Sequence, residues 1–406
     1  MKVGVFIPQF SPQAGGAYSF QESIIDELER FSSNHEIYVF HYNEEKEIKN
    51  SNIRYIQLIT TPPKPGLTKR IRLKLLKKLK ISKKNAESEE CILTSLSSAA
   101  DEFNIELMWF LTPAFEDVNV PYIYTVWDLQ HRLQPFFPEV SMTGWTWAER
   151  EQLYSKVLPR ATYILTGTEE GKREIMRFYN IDSERIRVLP LPTPSFCFKI
   201  TNSNNNISDF NNCKPFLFYP AQFWPHKNHI GLLYSLKILK EKYHLHFNLV
   251  LTGSDKGNLD YIKNMINELD LVDNVKILGF VDSDELIKIY KSAFALVFPS
   301  FFGPDNLPPL EAFAFGCPVI ASNVSGANDQ LGSAAFLVDM KNEEEIAMAI
   351  KTLFDNKTIR EELITKGRER ALKWKSADYV SSINNILNEF GKYRRCWSNT
   401  EKYHHL

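Results

Sequence analysis

Short apolar runs alternate with segments of helical periodicity along most of the chain. Residues 2–8 form an apolar run, a loop containing Gly15 and Gly16 follows, and Ile24, Leu28 and Phe31 then recur at helical spacing. Similar runs predict further strands in the first half, at 37–41, 107–111, 122–126, 163–166 and 187–189. Alternation of strand and helix predicts a doubly wound parallel sheet.

The same pattern restarts in the second half of the chain. Apolar runs there predict strands at 216–220, 247–252, 275–278, 295–299, 318–321 and 335–338. Between the halves, residues 199–214 contain six asparagines and little that could be buried, which is typical of a linker. We therefore expect an α/β protein with Rossmann-like domains at 1–198 and 215–375, and a helix near 376–406 that packs back on the first domain.

The composition is that of a globular protein, with 44% hydrophobic residues among 406 and a formal net charge of −1. This small sum hides one basic segment, because residues 64–84 contain ten Lys or Arg and no acid. Within 67–81 the apolar residues follow helical spacing, which predicts a basic amphipathic helix suited to an anionic membrane surface. A solvated basic loop is the alternative, and nothing else in the sequence supports nucleic-acid binding.

Cysteine usage and the first residues favour a cytoplasmic protein. The five cysteines are scattered and form no C-x-x-C pair, so disulfides and a zinc site are not expected. The opening "MKVGVFIPQF" is a poor signal peptide, and no apolar run approaches the ~18 residues that a transmembrane helix needs.

Loops at the carboxyl ends of the strands are where such sheets bind ligands. Lys227 precedes a helix, where a lysine and the helix dipole can together meet a phosphate, although a solvated surface lysine is the alternative. Gly253 follows the next strand and would let a ligand approach the backbone. Asp282 and Asp284 form a D-x-D pair that helix capping explains better than a metal, so no metal is assigned.

Residues 301–322, "FFGPDNLPPLEAFAFGCPVIAS", predict a short helix followed by a buried strand. Pro308 and Pro309 suit the start of the helix and Gly316 its end. Glu311 is expected in the first turn, where it would either stabilise the helix or accept hydrogen bonds from a ribose diol. Free backbone amides at 306–310 would face the cleft.

Two groups in the first half are candidates for the opposite wall of that cleft. Gly15 and Gly16 could bring the backbone close to a phosphate or sugar, or form an ordinary turn. Asp128 and His131 follow the strand "PYIYTV" in the loop "WDLQHR", where they could act on a substrate or brace the loop.

Five motifs in the order found here resemble the retaining glycosyltransferases of family 4, which have the GT-B fold. They are "AQFWPHKNH", "LVLTGSD", "LGFVDSDELIKIYKSAFALVFPS", "NLPPLEAFAFGCPVI" and "AAFLVD", and they span nearly all of residues 216–340. The first half agrees more loosely, through Gly15, Gly16 and "TVWDLQH".

The resemblance implies a nucleotide-sugar donor such as a UDP- or GDP-sugar in the C-terminal domain, a glycan or lipid-linked acceptor in the N-terminal domain, and reaction in the cleft between them. Lys227 would contact the diphosphate and Glu311 would bind the ribose. Gly15, Gly16, Gln222 and Gly253 would also belong to the nucleotide-sugar site. Phosphate and sugar would be supported by Asp305, Asn306 and Leu307. Asp128 and His131 would serve catalysis together with Lys227, and neither a cofactor nor a metal is implied.

Three positions depart from the common family pattern. Gln222 and Gly303 stand where Arg and the first Glu of a paired-glutamate motif are usual, and Trp127 replaces a His. A branch of the family shares the form "FGP-x-N-x-PPLE", in which such changes would occur together. The expected function is therefore a glycosyltransferase of cell-surface polysaccharide synthesis, of the O-antigen or capsule type. The alternatives are a catalytically silent nucleotide- or glycan-binding protein and, with less support, a nucleotide-sugar epimerase.

Overall fold

The computed structural model describes residues 1–8, 11, 15–42, 53–59, 95–142, 144–199, 215–303 and 305–398. Two separate parallel sheets account for the strands in these ranges, which confirms the predicted α/β class. The predicted basic helix and residues 200–214 of the predicted linker lie outside the described residues.

The first sheet has seven strands in the order β3-β2-β1-β4-β5-β6-β7, all paired in parallel. Its strands are β1 (Lys2–Ile7), β2 (Glu36–His41), β3 (Ile53–Gln57), β4 (Leu107–Phe110), β5 (Tyr122–Thr125), β6 (Tyr163–Thr166) and β7 (Ile186–Val188). The described helices of this half are α1 (Gly16–Arg30), α2 (Leu96–Glu102), α3 (Gln130–Leu133), α4 (Pro138–Ser141), α5 (Trp147–Val157) and α6 (Glu169–Tyr179).

The second sheet has six strands in the order β10-β9-β8-β11-β12-β13, again all parallel. Its strands are β8 (Phe216–Pro220), β9 (Asn248–Thr252), β10 (Val275–Gly279), β11 (Ala295–Phe298), β12 (Val319–Ser322) and β13 (Ala335–Val338). The helices are α7 (His229–Glu241), α8 (Leu259–Glu268), α9 (Ser283–Ser292), α10 (Leu307–Phe315), α11 (Ala327–Leu331), α12 (Glu343–Asp355), α13 (Lys357–Lys373) and α14 (Ser376–Arg394).

Each sheet reverses its strand order at one place, between β1 and β4 in the first and between β8 and β11 in the second. Ligands of doubly wound sheets bind at this switch point, beside the carboxyl ends of the strands. The loops after β1, β8 and β11 carry Gly15, Lys227 and Asn306, so the topology alone brings predicted site residues to the two switch points.

The last helix, α14, lies against the first domain. Glu389 accepts hydrogen bonds from Tyr163 Oη (3.0 Å) and Arg187 Nη2 (2.7 Å), and Ser33 Oγ donates to Asn384 (2.8 Å). At the end of the helix, Arg394 Nε lies 2.9 Å from a Glu106 carboxylate oxygen. The chain thus crosses from the second sheet back to the first before it ends.

One strand was missing from the sequence prediction. Strand β3 is the edge of the first sheet, and only its first residue, Ile53, is fully buried. An edge strand with Arg54 and Gln57 exposed has no continuous apolar run to reveal it. The other strands end within one residue of their predicted limits. Among the described helices, none has the length and apolar character needed to cross a membrane.

Candidate active site

A cleft of about 710 Å³ opens between the carboxyl edges of the two sheets. Both domains line it, because loops after β1, β5 and β6 face loops after β8, β9 and β11. The predicted site residues that line this cleft are Gly15, Gly16, Asp128, Gln222, Lys227, Gly253, Asp305, Asn306, Leu307 and Glu311. Residues chosen from distant parts of the sequence therefore meet in one cavity.

Lys227 ends a short turn, Pro225–Lys227, that precedes helix α7. Its Nζ lies 5.2 Å from the centre of the Phe298 ring. Within the described part of the chain, no carboxylate lies within ion-pair distance of this ammonium group. Burial lowers the pKa of Lys227 to about 8, while the charges of Asp128 and Glu139 act in the opposite direction. A cation held without a partner in a cleft is suited to an anionic ligand.

Glu311 lies on the inward face of α10 and is only 5% exposed. Its Oε2 accepts a hydrogen bond of 2.7 Å from Tyr290 Oη. Burial raises the pKa of Glu311 to about 7, against which the Tyr290 hydrogen bond acts. The carboxyl group still lines the cleft, so it can accept hydrogen bonds from a ligand's hydroxyl groups.

Helix α10 corrects two details of the sequence prediction. It begins at Leu307, so Glu311 is its fifth residue and not part of the first turn. The amide of Asn306 is not free, because it donates to Gln330 Oε1 at 3.0 Å. Pro308 and Pro309 have no N–H to offer. Within the described chain the amide of Leu307 has no such partner, so this helix start offers a ligand far fewer donors than expected.

Asp305 links the two domains, because one oxygen of its carboxyl group contacts the first domain and the other contacts a residue of its own domain. Oδ2 accepts from the backbone amide of Leu191 at 2.7 Å, and Oδ1 accepts from Gln330 Nε2. A Cβ atom on Gly167 would lie 2.1 Å from Oδ2, so the opposite wall is fitted to this side chain. Burial raises the pKa of Asp305 to about 7, while the two hydrogen bonds act to lower it. In this arrangement Asp305 holds the domain junction.

Asp128 and His131 are separated by the structure. Asp128 lines the cleft, and its Oδ1 lies 3.0 Å from Arg150 Nη1. His131 does not reach the cleft, because its side chain is fully buried and its Nε2 lies 2.7 Å from Glu151 Oε1. Tyr179 donates to the same Glu151 oxygen at 2.8 Å. The structure thus gives His131 a bracing position behind the wall instead of the predicted catalytic position.

Gly253 permits the close approach of two loops in the cleft floor. Its φ is +144°, and a Cβ atom would lie 2.3 Å from the carbonyl oxygen of Ala221. We expect Gly253→Ala to destabilise the protein by about 3 kcal/mol, since both the backbone conformation and the contact oppose a side chain. Chemical denaturation would measure the change.

Gly257→Ala is the matched control for this prediction. Gly257 also has a positive φ, of +94°, but a Cβ atom there would meet nothing within 4 Å. We expect Gly257→Ala to lower the free energy of unfolding by only about 1 kcal/mol, because only the backbone conformation opposes the side chain there. Equal losses in the two variants would contradict the assigned contact between Gly253 and Ala221.

Several known proteins are similar to this chain in sequence or in fold. Residues 201–370 match the family model described as glycosyl transferases group 1. O-antigen chain mannosyltransferase RfbU of Salmonella typhimurium is 31% identical over 197 residues, which are 48% of this chain and 51% of that protein. O-antigen chain mannosyltransferase B of Escherichia coli is 25% identical over 229 residues, covering 54% of this chain and 59% of that protein. The chain thus spans little more than half the length of these relatives.

Solved structures extend the likeness to both domains. Sucrose-phosphate synthase from Thermosynechococcus elongatus aligns with a TM-score of 0.73 and 18% identity, over 97% of this chain and 99% of its own. Anabaena HepE, solved with UDP and glucose, aligns with a TM-score of 0.68 and 14% identity, over 96% and 100%. WaaG, a glycosyltransferase involved in lipopolysaccharide biosynthesis, gives 0.67 and 14% over 95% and 99%. The chain has the GT-B fold, as the resemblance implied.

Two of the departures from the family pattern, Gly303 and Gln222, have local structural partners in the C-terminal domain. Gly303 has a φ of +106°, and a Cβ atom would lie 2.7 Å from the Asn306 side-chain oxygen. A glutamate at position 303 would therefore require Asn306 to move. Gln222 Nε2 donates to Ser254 Oγ (3.2 Å), and its Oε1 accepts from Trp224 Nε1 (3.1 Å). Gly303 and Gln222 thus fit their neighbours in the fold.

Sequence reasoning missed several residues that shape the cleft and its surroundings. Gln330 fixes the start of α10, Gln134 donates to the carbonyl of Phe301 at 3.0 Å, and Glu139 contacts His226. His226 could have been noticed, because it is next to Lys227. The others come from segments 24 to 167 residues away from their partners and carry no local signal.

Proposed function

We propose that this protein transfers a sugar from a nucleotide-sugar donor to a glycan or lipid-linked acceptor, with retention of anomeric configuration, in cell-surface polysaccharide synthesis. One observation carries the proposal. Lys227 and Glu311 line the same cleft, and each follows a strand of the C-terminal domain. Asp128 of the N-terminal domain lines the opposite side of the cleft. A cation and a buried carboxyl group at a switch point suit the diphosphate and the ribose of one nucleotide.

The comparisons support the substrate class. The relatives from Salmonella typhimurium and Escherichia coli are named O-antigen chain mannosyltransferases, and Anabaena HepE was solved with UDP and glucose. We propose the same class of sugar-transfer reaction for the present chain, with a UDP- or GDP-sugar as donor. Membership of the retaining family 4 belongs to the same proposal.

The proposed reaction is a displacement at the anomeric carbon of the donor sugar. The bond from that carbon to the diphosphate oxygen breaks, and the acceptor hydroxyl oxygen forms the new glycosidic bond on the same face. The proton of the acceptor hydroxyl passes to the departing diphosphate, so no separate strong base is needed. Lys227 and the remaining helix amide stabilise the charge that develops on the leaving group, which is where electrostatic catalysis acts. The proposal assigns no metal to this site.

A panel of UDP-, GDP- and ADP-sugars tests the proposal directly. The protein is incubated with each donor, with and without a lipid-linked acceptor, and released nucleotide is measured. We expect release that depends on the acceptor, with one base strongly preferred. Isomerisation of the donor sugar without acceptor would identify an epimerase instead. Tight nucleotide binding with neither reaction would identify a catalytically silent binding protein.

We also propose that residues 64–84, which lie outside the described residues, dock the protein on the inner face of the plasma membrane. The support is compositional, since ten Lys or Arg and no acid fall within this segment. Each cation near an anionic surface contributes about 1 kcal/mol. Co-sedimentation with liposomes of graded anionic lipid content should rise with that content, and binding that ignores it would contradict this proposal.

A further inference from the structure

Glu139, on the short helix α4 of the N-terminal domain, reaches across the domain junction to the loop that carries Lys227. Its Oε1 accepts two hydrogen bonds from His226, one from the backbone amide at 2.9 Å and one from Nδ1 at 2.5 Å. Glu139 is 7% exposed, and its Oε2 is buried without a partner among the described residues. Burying a carboxylate costs free energy. A buried carboxylate that makes two hydrogen bonds to one residue of the other domain therefore points to a functional role.

His226 is held on its other sides as well. Its ring stacks on Phe302, with centroids 3.8 Å apart and planes 14° from parallel. Its carbonyl oxygen accepts from the amide of Phe301 at 2.8 Å. His226 immediately precedes Lys227 in the turn Pro225–Lys227, so fixing its backbone and ring also fixes the direction in which Lys227 leaves the turn.

The protonation of His226 agrees with this geometry. Burial is the main cause that lowers the pKa of His226 to about 4, so the imidazole is neutral near pH 7. We place its proton on Nδ1, because Glu139 is an acceptor at that nitrogen. The carboxylate therefore acts here as a hydrogen-bond acceptor that orients the ring.

We infer that Glu139 is a positioning residue for the proposed transfer reaction, which holds His226, and through it the Lys227 turn, in the geometry that meets the donor diphosphate. The inference rests on the proposed function for its kinetic consequence only. Glu139 belongs to the acceptor-side domain and Lys227 to the donor-side domain. The phosphate site is therefore complete only when the two domains are docked against each other.

The test compares Glu139→Ala with Glu139→Gln and with a control at the same junction. Glutamine keeps a carbonyl oxygen that can accept from both N–H groups of His226, whereas alanine keeps none. The control is Gln134→Ala, because Gln134 also crosses the junction, to the Phe301 carbonyl, without a hydrogen bond to His226. Hydrogen exchange of the backbone amides at 226–228 is measured without nucleotide, followed by kcat and KM for the preferred donor.

We expect exchange at His226 to become about 10- to 100-fold faster in Glu139→Ala, since a hydrogen bond to a charged group is lost. We expect kcat/KM to fall by a similar factor because the lysine is misplaced. Glu139→Gln should restore most of both quantities, and Gln134→Ala should leave the exchange of 226–228 unchanged. In a Glu139→Ala, His226→Phe double variant, the loss of kcat/KM should be smaller than the sum of the two single losses, because in His226→Phe only the bond from the backbone amide to Glu139 remains to be lost.

Unchanged exchange in Glu139→Ala would overturn the inference, as would an equal effect of Gln134→Ala. Additive losses in the double variant would also overturn it, because Glu139 would then not act through His226. If the wild-type protein neither binds nor turns over nucleotide sugars, the proposed function fails. The exchange measurement, which contains no nucleotide, still decides whether Glu139 holds the turn.

Discussion

Lys227→Ala is expected to lower kcat for sugar transfer by about 100- to 1,000-fold. The ammonium group is the cation that the cleft presents to the leaving diphosphate, and no carboxylate in the described chain neutralises it at ion-pair distance. Charge on the diphosphate grows as the glycosidic bond breaks, so the loss falls more on the transition state than on bound donor. Nucleotide affinity should also fall, but by less than kcat. Steady-state kinetics and calorimetric titration with the preferred nucleotide measure the two effects.

The pH dependence of nucleotide affinity gives this prediction a sharper form. The pKa of Lys227 in the free protein is about 8, so the ammonium loses its proton as the pH rises through that value. Wild-type affinity should therefore fall between pH 7.5 and about pH 9. Lys227→Arg keeps its charge over this range, so its affinity should stay level there even if its geometry makes binding weaker.

Lys256 provides the matched control for Lys227. It is an exposed lysine near the same edge of the cleft, with its Nζ 5.8 Å from the Trp224 ring centre. Lys256→Ala removes the same charge from the domain, and Lys256 itself does not line the cleft. Similar losses in the two alanine variants would show a general electrostatic effect and would contradict the assigned role of Lys227.

Local signals were sufficient to predict the fold and to find most of the cleft. The strands β8 and β9 are continuous apolar runs, and the glycine and lysine that follow them are next to them in sequence. The carboxyl ends of parallel strands lie at one edge of the sheet. Knowing the strands was therefore enough to predict that Lys227 and Gly253 lie at the same edge. Asp282 similarly caps α9 by accepting from the Glu285 amide at 2.8 Å, as its position before the helix predicted.

Contacts between distant segments were not predictable in the same way. Asp305 lies in the predicted loop, but its partner is the amide of Leu191, 114 residues earlier. His131 follows the right strand, yet the start of α3 turns its side chain towards Glu151 on α5. Such outcomes depend on how helices pack and on which face of a short helix is covered. Spacing along the chain does not contain that information.

Glu311→Gln is expected to make the free protein more stable and its nucleotide binding weaker. Burial raises the pKa of Glu311 to about 7 from an ordinary value of 4.5. The folded protein therefore holds a proton there that the unfolded chain releases. The stability that this proton contributes is complete below about pH 4.5 and is lost as the pH rises through 7. Above pH 7 the buried charge costs on the order of 3 kcal/mol, which glutamine avoids.

Glutamine keeps the Tyr290 hydrogen bond, because its carbonyl oxygen can accept from the hydroxyl group that now donates to Oε2 at 2.7 Å. Denaturation at pH 5 and pH 8 should show a small difference between variant and wild type at pH 5 and a larger one at pH 8. Affinity for the preferred nucleotide should fall about tenfold or more at pH 8, because the charged acceptor for the ribose hydroxyls is gone.

Glu285→Gln, an exposed change on the helix that carries Tyr290, should alter neither quantity. A stability gain that is the same at both pH values, or an unchanged affinity, would contradict the assignment. A gain in stability together with a loss of nucleotide affinity would identify Glu311 as a ligand-binding residue. Its charge destabilises the protein when the cleft is empty and contributes favourably only when a nucleotide is bound.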